Sequence, residues 1–166
     1  ESIQAPMMAM VREAMERLNA MRLTEGEALA RDLEERIALM RTSVATIEQR
    51  LPELNAVYEQ KLRTRVKELA GDTPVAEERL AVELAIMADK GDVTEEVVRL
   101  KTHFDHALEL LRNETPAGRE LNFLTQEFLR EMNTLGSKVR DSEVTKEVLR
   151  MKSELERLRE QVQNVE

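Results

Sequence analysis

The sequence predicts an all-α protein, on three grounds: which residues are abundant, how apolar residues recur, and how few turn signals separate them. Of 166 residues, 42% are hydrophobic and 35% charged, but only 2% are aromatic, with Gly 5 and Pro 4. Sandwiches and barrels need β-branched and aromatic strands with turn signals every ~8–12 residues, and this composition supplies neither. Glu, Leu, Arg and Ala lead instead, residues that lose little on entering a helix. A chain of this length is expected to form one domain, or at most two, with a sizeable core.

Composition also excludes several classes. Cysteine is absent, so there is no disulfide scaffold and no thiolate metal site, which fits a reducing compartment. No apolar run approaches the ~20 residues of a membrane span, and the first residues do not have a signal-peptide pattern. The first residue is Glu1, so a fragment or processed chain is expected. Lys and Arg number 25 against 33 Asp and Glu, a net charge of −8 that argues against simple electrostatic capture of nucleic acid.

The elements follow in order. Met7, Met8, Met10, Val11, Met15, Leu18 and Met21 mark a first apolar helix, whose methionines suit adaptable core or subunit contact. Thr24-Glu25-Gly26-Glu27 has the form of a capping box opening a new helix. From there Leu29, Leu33, Ile37, Met40, Val44, Ile47 and Leu51 recur at steps of three and four, one face of a helix. Pro52 interrupts the hydrogen-bond ladder, yet the stripe continues through Leu54, Tyr58, Leu62, Val66 and Leu69. A long helix kinked or restarted near Pro52 is expected, with a tight hairpin as the alternative.

Ala70-Gly71-Asp72-Thr73-Pro74 reads as the first turn, and Lys90-Gly91-Asp92 as the second. Asp92 with Glu95 forms a cap pair opening a helix to about Asn113. Thr115-Pro116 starts another, with Leu121, Leu124, Phe128, Met132 and Leu135 on one side and Gly136 as its stop. Finally, Val144, Val148, Met151, Leu155, Leu158, Val162 and Val165 form a heptad seam, narrow enough to suit one partner helix.

There is no Walker-type glycine loop, no GxGxxG and no His-Glu-x-x-His. Two other stretches could carry chemistry. Between Ala76 and Leu111 nine acidic residues face four basic ones, a net of −5, and Glu96, Arg99 and His103 share one side of a predicted helix. Carboxylates with one imidazole suit Mg²⁺ or Mn²⁺, and a solvated charged face with ordinary caps fits the same residues. From Arg112 to Arg140 the balance turns to +1, and Arg119, Gln126, Arg130, Asn133 and Ser137 recur at helical spacing ahead of Lys138. Such side chains hold phosphate oxygens by charge-assisted hydrogen bonds, and intrahelical salt bridges plus a glycine cap are the alternative.

These stretches also carry a resemblance. Arg22 with Thr24 to Leu29, Arg79-Leu80-x-x-Glu83, and Asp92-Val93-x-Glu95-Glu96-x-x-Arg99-Leu100-x-x-His103 resemble the YicC/YloC family of bacterial proteins. So does Gly118-Arg119-x-Leu121-x-Phe123-x-x-Gln126-Glu127-Phe128-x-Arg130-Glu131-x-Asn133-Thr134-Leu135-x-Ser137-Lys138, and Gln161 to Glu166 looks like the family's C-terminus. The likeness runs over residues 1–166 and covers only the family's C-terminal helical domain, without its N-terminal domain.

The resemblance implies a metal-dependent endoribonuclease of the bacterial cytoplasm that acts on RNA and assembles as a homo-oligomer, with a hexamer expected. It implies no membrane and no small-molecule cofactor beyond a divalent cation, Mg²⁺ or Mn²⁺. On side-chain chemistry, the expected catalytic groups are His103, Glu96, Glu127 and Glu131. The expected metal ligands are Glu83, Asp92, Glu96 and His103, with Glu127 and Glu131 as second candidates. Arg99, Arg119, Gln126, Arg130, Asn133, Ser137 and Lys138 are expected to hold RNA phosphates. Asn122 stands where the family often has Asp and Leu129 where it usually has Asn, so activity would be weakened if either polar group serves the reaction. The competing expectation is a helical oligomerisation scaffold whose RNA cleavage depends on the family's other domain.

Overall fold

The computed structural model describes residues 3–70, 77–113, 116–163 and 165, apart from the side chains of residues 55, 69, 70 and 77. The described chain is all-α, as expected, with a long kinked helix and no strand. Its order is α1 (Gln4–Ala70), α2 (Glu77–Gly91), α3 (Thr94–Arg112), α4 (Gly118–Lys138) and α5 (Ser142–Val162). No helix among the described residues is long and apolar enough to cross a membrane.

The core is where α1, α3, α4 and α5 meet. Leu33, Ile37, Met40, Val44, Ile47 and Leu54 of α1 are buried against the seam Val144, Val148, Met151, Leu155, Leu158 and Val162 of α5. Polar clasps fix these two helices antiparallel. Arg36 pairs with Glu154 at 3.0 Å, Ser43 donates to Glu147 at 2.8 Å, and Tyr58 donates to the Arg140 carbonyl at 2.9 Å. The Arg36 guanidinium is held above its ordinary pKa by its hydrogen bond to Asp32, with Glu154 adding to it. The α5 seam packs on α4 as well as α1, so it serves two partner helices rather than the single one expected of a narrow stripe.

Several expected boundaries move. Thr24 caps nothing: α1 runs through it, and its hydroxyl donates to the Ala20 carbonyl one turn back at 3.1 Å. The methionine-rich segment is therefore the first part of α1, not a separate helix. It is not core within this chain, since residues 3–28 are all exposed. Pro52 sits inside α1 without ending it. A proline interior to a helix costs ~3 kcal/mol, and the flanking Leu51, Leu54 and Tyr58, all packed on the core, offset it. The turn expected at residues 71–74 and the cap at Thr115 lie outside the described residues.

Helix α4 begins at Gly118, two residues after Pro116, and an added Cβ at Gly118 would lie 2.4 Å from the Val165 carbonyl oxygen. Gly136 is not a stop either. It lies inside α4, where a Cβ would come within 3.3 Å of Val148 Cγ1, so its bare backbone lets α4 approach α5. At the start of α5 the Asp141 carboxylate caps the helix, accepting from the amides of Glu143 and Val144.

Candidate metal and phosphate site on the α3–α4 edge

Helices α3 and α4 lie antiparallel, and aromatic packing fixes their register. Phe104 and Phe128 are fully buried and meet edge to face, with ring centroids 4.9 Å apart and planes at 63°. Val97, Leu100, Ala107 and Leu110 extend the α3 face; Leu121, Leu124, Met132 and Leu135 extend that of α4. The residues beside these anchors, His103 on α3 and Glu127 on α4, are thereby brought to one edge of the helix pair.

A polar ladder runs along that edge. At one end Lys138 Nζ lies 2.8 Å from Glu96 Oε1 and donates to the Asp92 carbonyl at 3.0 Å. One step on, Arg99 pairs with Glu95 on its own helix and with Glu131 across the interface at 3.5 Å. Then come His103, Glu127 and Glu131, each offering one ligand atom within 4.8 Å of the others. The last rung is His106 Nε2, 3.2 Å from Glu120 Oε1.

The rungs differ in chemistry. Glu131 is only 2% exposed and Glu96 only 4%, while His103 and Glu127 are half-buried. Burying a carboxylate is costly unless a cation or several donors compensate it. Glu96 has its compensation in Lys138, whose ammonium is held above its ordinary pKa by that contact, although Glu96 Oε2 is buried without a hydrogen-bond partner. Asp92 is held below its ordinary carboxyl pKa, first by the side-chain hydrogen bond from Thr94 and then by the Thr94 amide. It shapes the α2–α3 turn in this way, and the cap expected with Glu95 does not form: Glu95 pairs with Arg99 instead.

The structure thus redistributes the expected site residues. Of the expected metal ligands, His103 keeps company with Glu127 and Glu131. Glu96 is taken up by Lys138, Asp92 by Thr94, and Glu83 lies exposed on α2. Of the expected phosphate ligands, Arg119, Gln126, Arg130, Asn133 and Ser137 form the exposed outer face of α4. Arg130 also reaches Glu127 at 3.6 Å, and Ser137 donates to the Thr134 carbonyl. Lys138 instead lies half-buried against Glu96 on the α3 side. The helix spacing of Glu127 and Glu131 was visible in the sequence; their meeting with His103 required the antiparallel register of α3 and α4.

The residues present suit a hard divalent cation: two carboxylates, one of them buried, with one imidazole nitrogen. This defines the class, an all-helical chain with an acid–imidazole edge beside an exposed polar helix face. The chain belongs to the YicC-like endoribonuclease family, since residues 47–166 match the family model described as "Endoribonuclease YicC-like, C-terminal". It is similar to the "Probable endoribonuclease YicC" of Clostridioides difficile (strain 630), 41% identical over 157 residues, covering 94% of this chain and 54% of that protein. It is also similar to the "Probable endoribonuclease YicC" of Haemophilus influenzae, 30% identical over 147 residues, covering 89% of this chain and 50% of that one. The chain therefore spans about half the length of these curated relatives.

Proposed function

We propose that this chain is the helical half of a cytoplasmic endoribonuclease and that the α3–α4 edge takes part in RNA phosphodiester cleavage. The observation that carries this reading is the convergence of His103, Glu127 and Glu131 from two helices next to exposed Arg130. Mg²⁺ or Mn²⁺ would be held by these three side chains, where it would supply Lewis-acid stabilisation and a more acidic bound water. Glu131, held rigid by burial, fixes one side of the site; Glu127, half-buried, closes it. Arg130 and Arg119, with Gln126 and Asn133, position the RNA backbone along the outer face of α4 by charge-assisted and neutral hydrogen bonds. The net charge of −8 does not oppose this, because cation binding and a local balance of +1 over Arg112 to Arg140 lower the barrier for phosphate there.

The test is chelation and restoration on the full-length protein. Cleavage of single-stranded RNA should stop with EDTA and return with Mn²⁺. Cleavage that ignores both treatments overturns the metal reading and points to His103 taking the proton of the RNA 2′-hydroxyl as a general base.

A second reading is favoured by a separate observation, the exposure of Met7, Met8, Met10, Met15, Leu18 and Met21 on the first part of α1. Contiguous exposed apolar surface marks interaction sites. In this reading the chain is a homo-oligomerisation scaffold, a hexamer as the resemblance implies, and cleavage depends on the part of the relatives that it does not span. Light scattering on residues 1–166, with an RNA cleavage assay, separates the two. An oligomer without activity supports the scaffold; a monomer refutes it.

A further inference from the structure

Glu131 is a buried carboxylate whose described cationic partner is Arg99. The contact is 3.5 Å, at the outer edge of hydrogen-bonding distance, so the guanidinium is not locked there. Its other nitrogen already holds Glu95, an exposed residue one turn earlier on α3. Arg99 itself is half exposed. It is therefore shared between a buried carboxylate and a solvent-facing one, and it can move wholly to Glu95 without leaving its own helix. The oxygen-bearing end of Glu131 is also one of the three donors of the cluster with His103 and Glu127.

We propose that Arg99 is the built-in counter-cation of this cluster and that a divalent ion and the Arg99 guanidinium are alternative partners of Glu131. The inference rests on the metal reading above and goes beyond it. Arg99 lowers affinity for the ion, and keeps the Glu131 carboxylate compensated whenever no ion is bound. Uptake of the cation releases the guanidinium to Glu95. The charged and titratable groups facing the exchange are Glu95 and His103 on α3, with Glu127, Arg130 and Glu131 on α4. No other element contributes a partner to Glu131 among the described contacts.

The experiment is Mn²⁺ titration by calorimetry of the wild-type chain, Arg99→Gln and Arg99→Lys, with thermal unfolding of each protein with and without Mn²⁺. Removing the charge is expected to tighten Mn²⁺ binding about tenfold, the scale for a charge a few ångströms away but partly screened by solvent. Arg99→Lys, which keeps the charge, is expected to stay within about threefold of wild type. Added Mn²⁺ should raise the unfolding temperature more in Arg99→Gln than in wild type, because the ion then supplies compensation that the variant lacks. Equal or weaker Mn²⁺ binding by Arg99→Gln overturns the exchange while leaving the metal site standing. Absence of Mn²⁺ binding in all three proteins overturns the metal reading and the exchange together.

Discussion

Replacing Lys138 by Met isolates the value of one rung of the α3–α4 ladder. Glu96 is 4% exposed, and Lys138 is its described cationic partner at 2.8 Å. Removing one member of a buried pair costs about 3–5 kcal/mol, because the remaining charge is stranded. Lys138 is 33% exposed, so water still reaches the gap and lowers that figure to about 2 kcal/mol. The lost bond to the Asp92 carbonyl adds about 1 kcal/mol. The total, about 3 kcal/mol, corresponds to a fall in Tm of roughly 6–12 °C for a chain of this size. Thermal unfolding followed by circular dichroism at 222 nm measures it. Glu96→Leu combined with Lys138→Met removes the stranded carboxylate and should recover at least half of the loss. A single variant within about 1 kcal/mol of wild type, or a double variant less stable than the single, would refute the reasoning. Either result would return Lys138 to the exposed, phosphate-facing group that its sequence position suggests.

Further outcomes follow from the packing. Phe128→Ala should cost ~4 kcal/mol in denaturant unfolding, from cavity formation and the lost edge-to-face partner Phe104, and should also weaken Mn²⁺ binding by loosening Glu127. Gly118→Ala forces a Cβ against the Val165 carbonyl oxygen, 2.4 Å away; hydrogen exchange at the Val165 amide should accelerate, with a stability loss of about 1–3 kcal/mol. Asp92→Ala should lower Tm at neutral pH. Since the Asp92 carboxyl is held below its ordinary value of 3.8, its contribution is fully present above pH 3.8 and disappears as pH falls through the lower folded value. The Tm difference between variant and wild type should therefore shrink only in that acid range, and a difference that shrinks already between pH 7 and 5 counts against the assignment.

Much of the fold is legible in apolar spacing. The α1 stripe from Leu33 to Leu54 and the α5 seam from Val144 to Val162 are buried where period-3.6 and heptad patterns place them. Local punctuation is a weaker guide. Thr24, Pro52 and Gly136 each carry the mark of a helix end, and each lies inside a helix. At Pro52 and Gly136 the helix has a buried face, and continuing gains more than a local stop signal costs; Thr24 lies among exposed residues, and the packing of this chain does not explain why α1 runs through it. Glycine at 136 is explained only by Val148, twelve residues later on another helix. The same holds at the site. That acidic and basic side chains on α3 and α4 matter is visible in the sequence, but Lys138 lies against α3 and Arg130 faces outward because of their places around one helix. Which carboxylate meets His103 depends on the axial register of two antiparallel helices, and no sequence spacing encodes that register directly.

The uninterrupted path of α1 has a mechanical consequence. Its 67 residues span roughly 100 Å at ~1.5 Å per residue, and the exposed methionine-bearing part shares one backbone with the part buried beneath α5. Each residue advances the helix by roughly 100°, so the azimuth of the Met7–Met21 face is phase-locked to the burial of Leu33, Ile37 and Met40. Deleting a single residue near Gly26 would swing that face by more than a quarter turn while moving it barely 1.5 Å along the axis. Whatever meets the methionine face is thereby held at a set distance and a set angle from the α3–α4 edge, as a gear is keyed to its shaft.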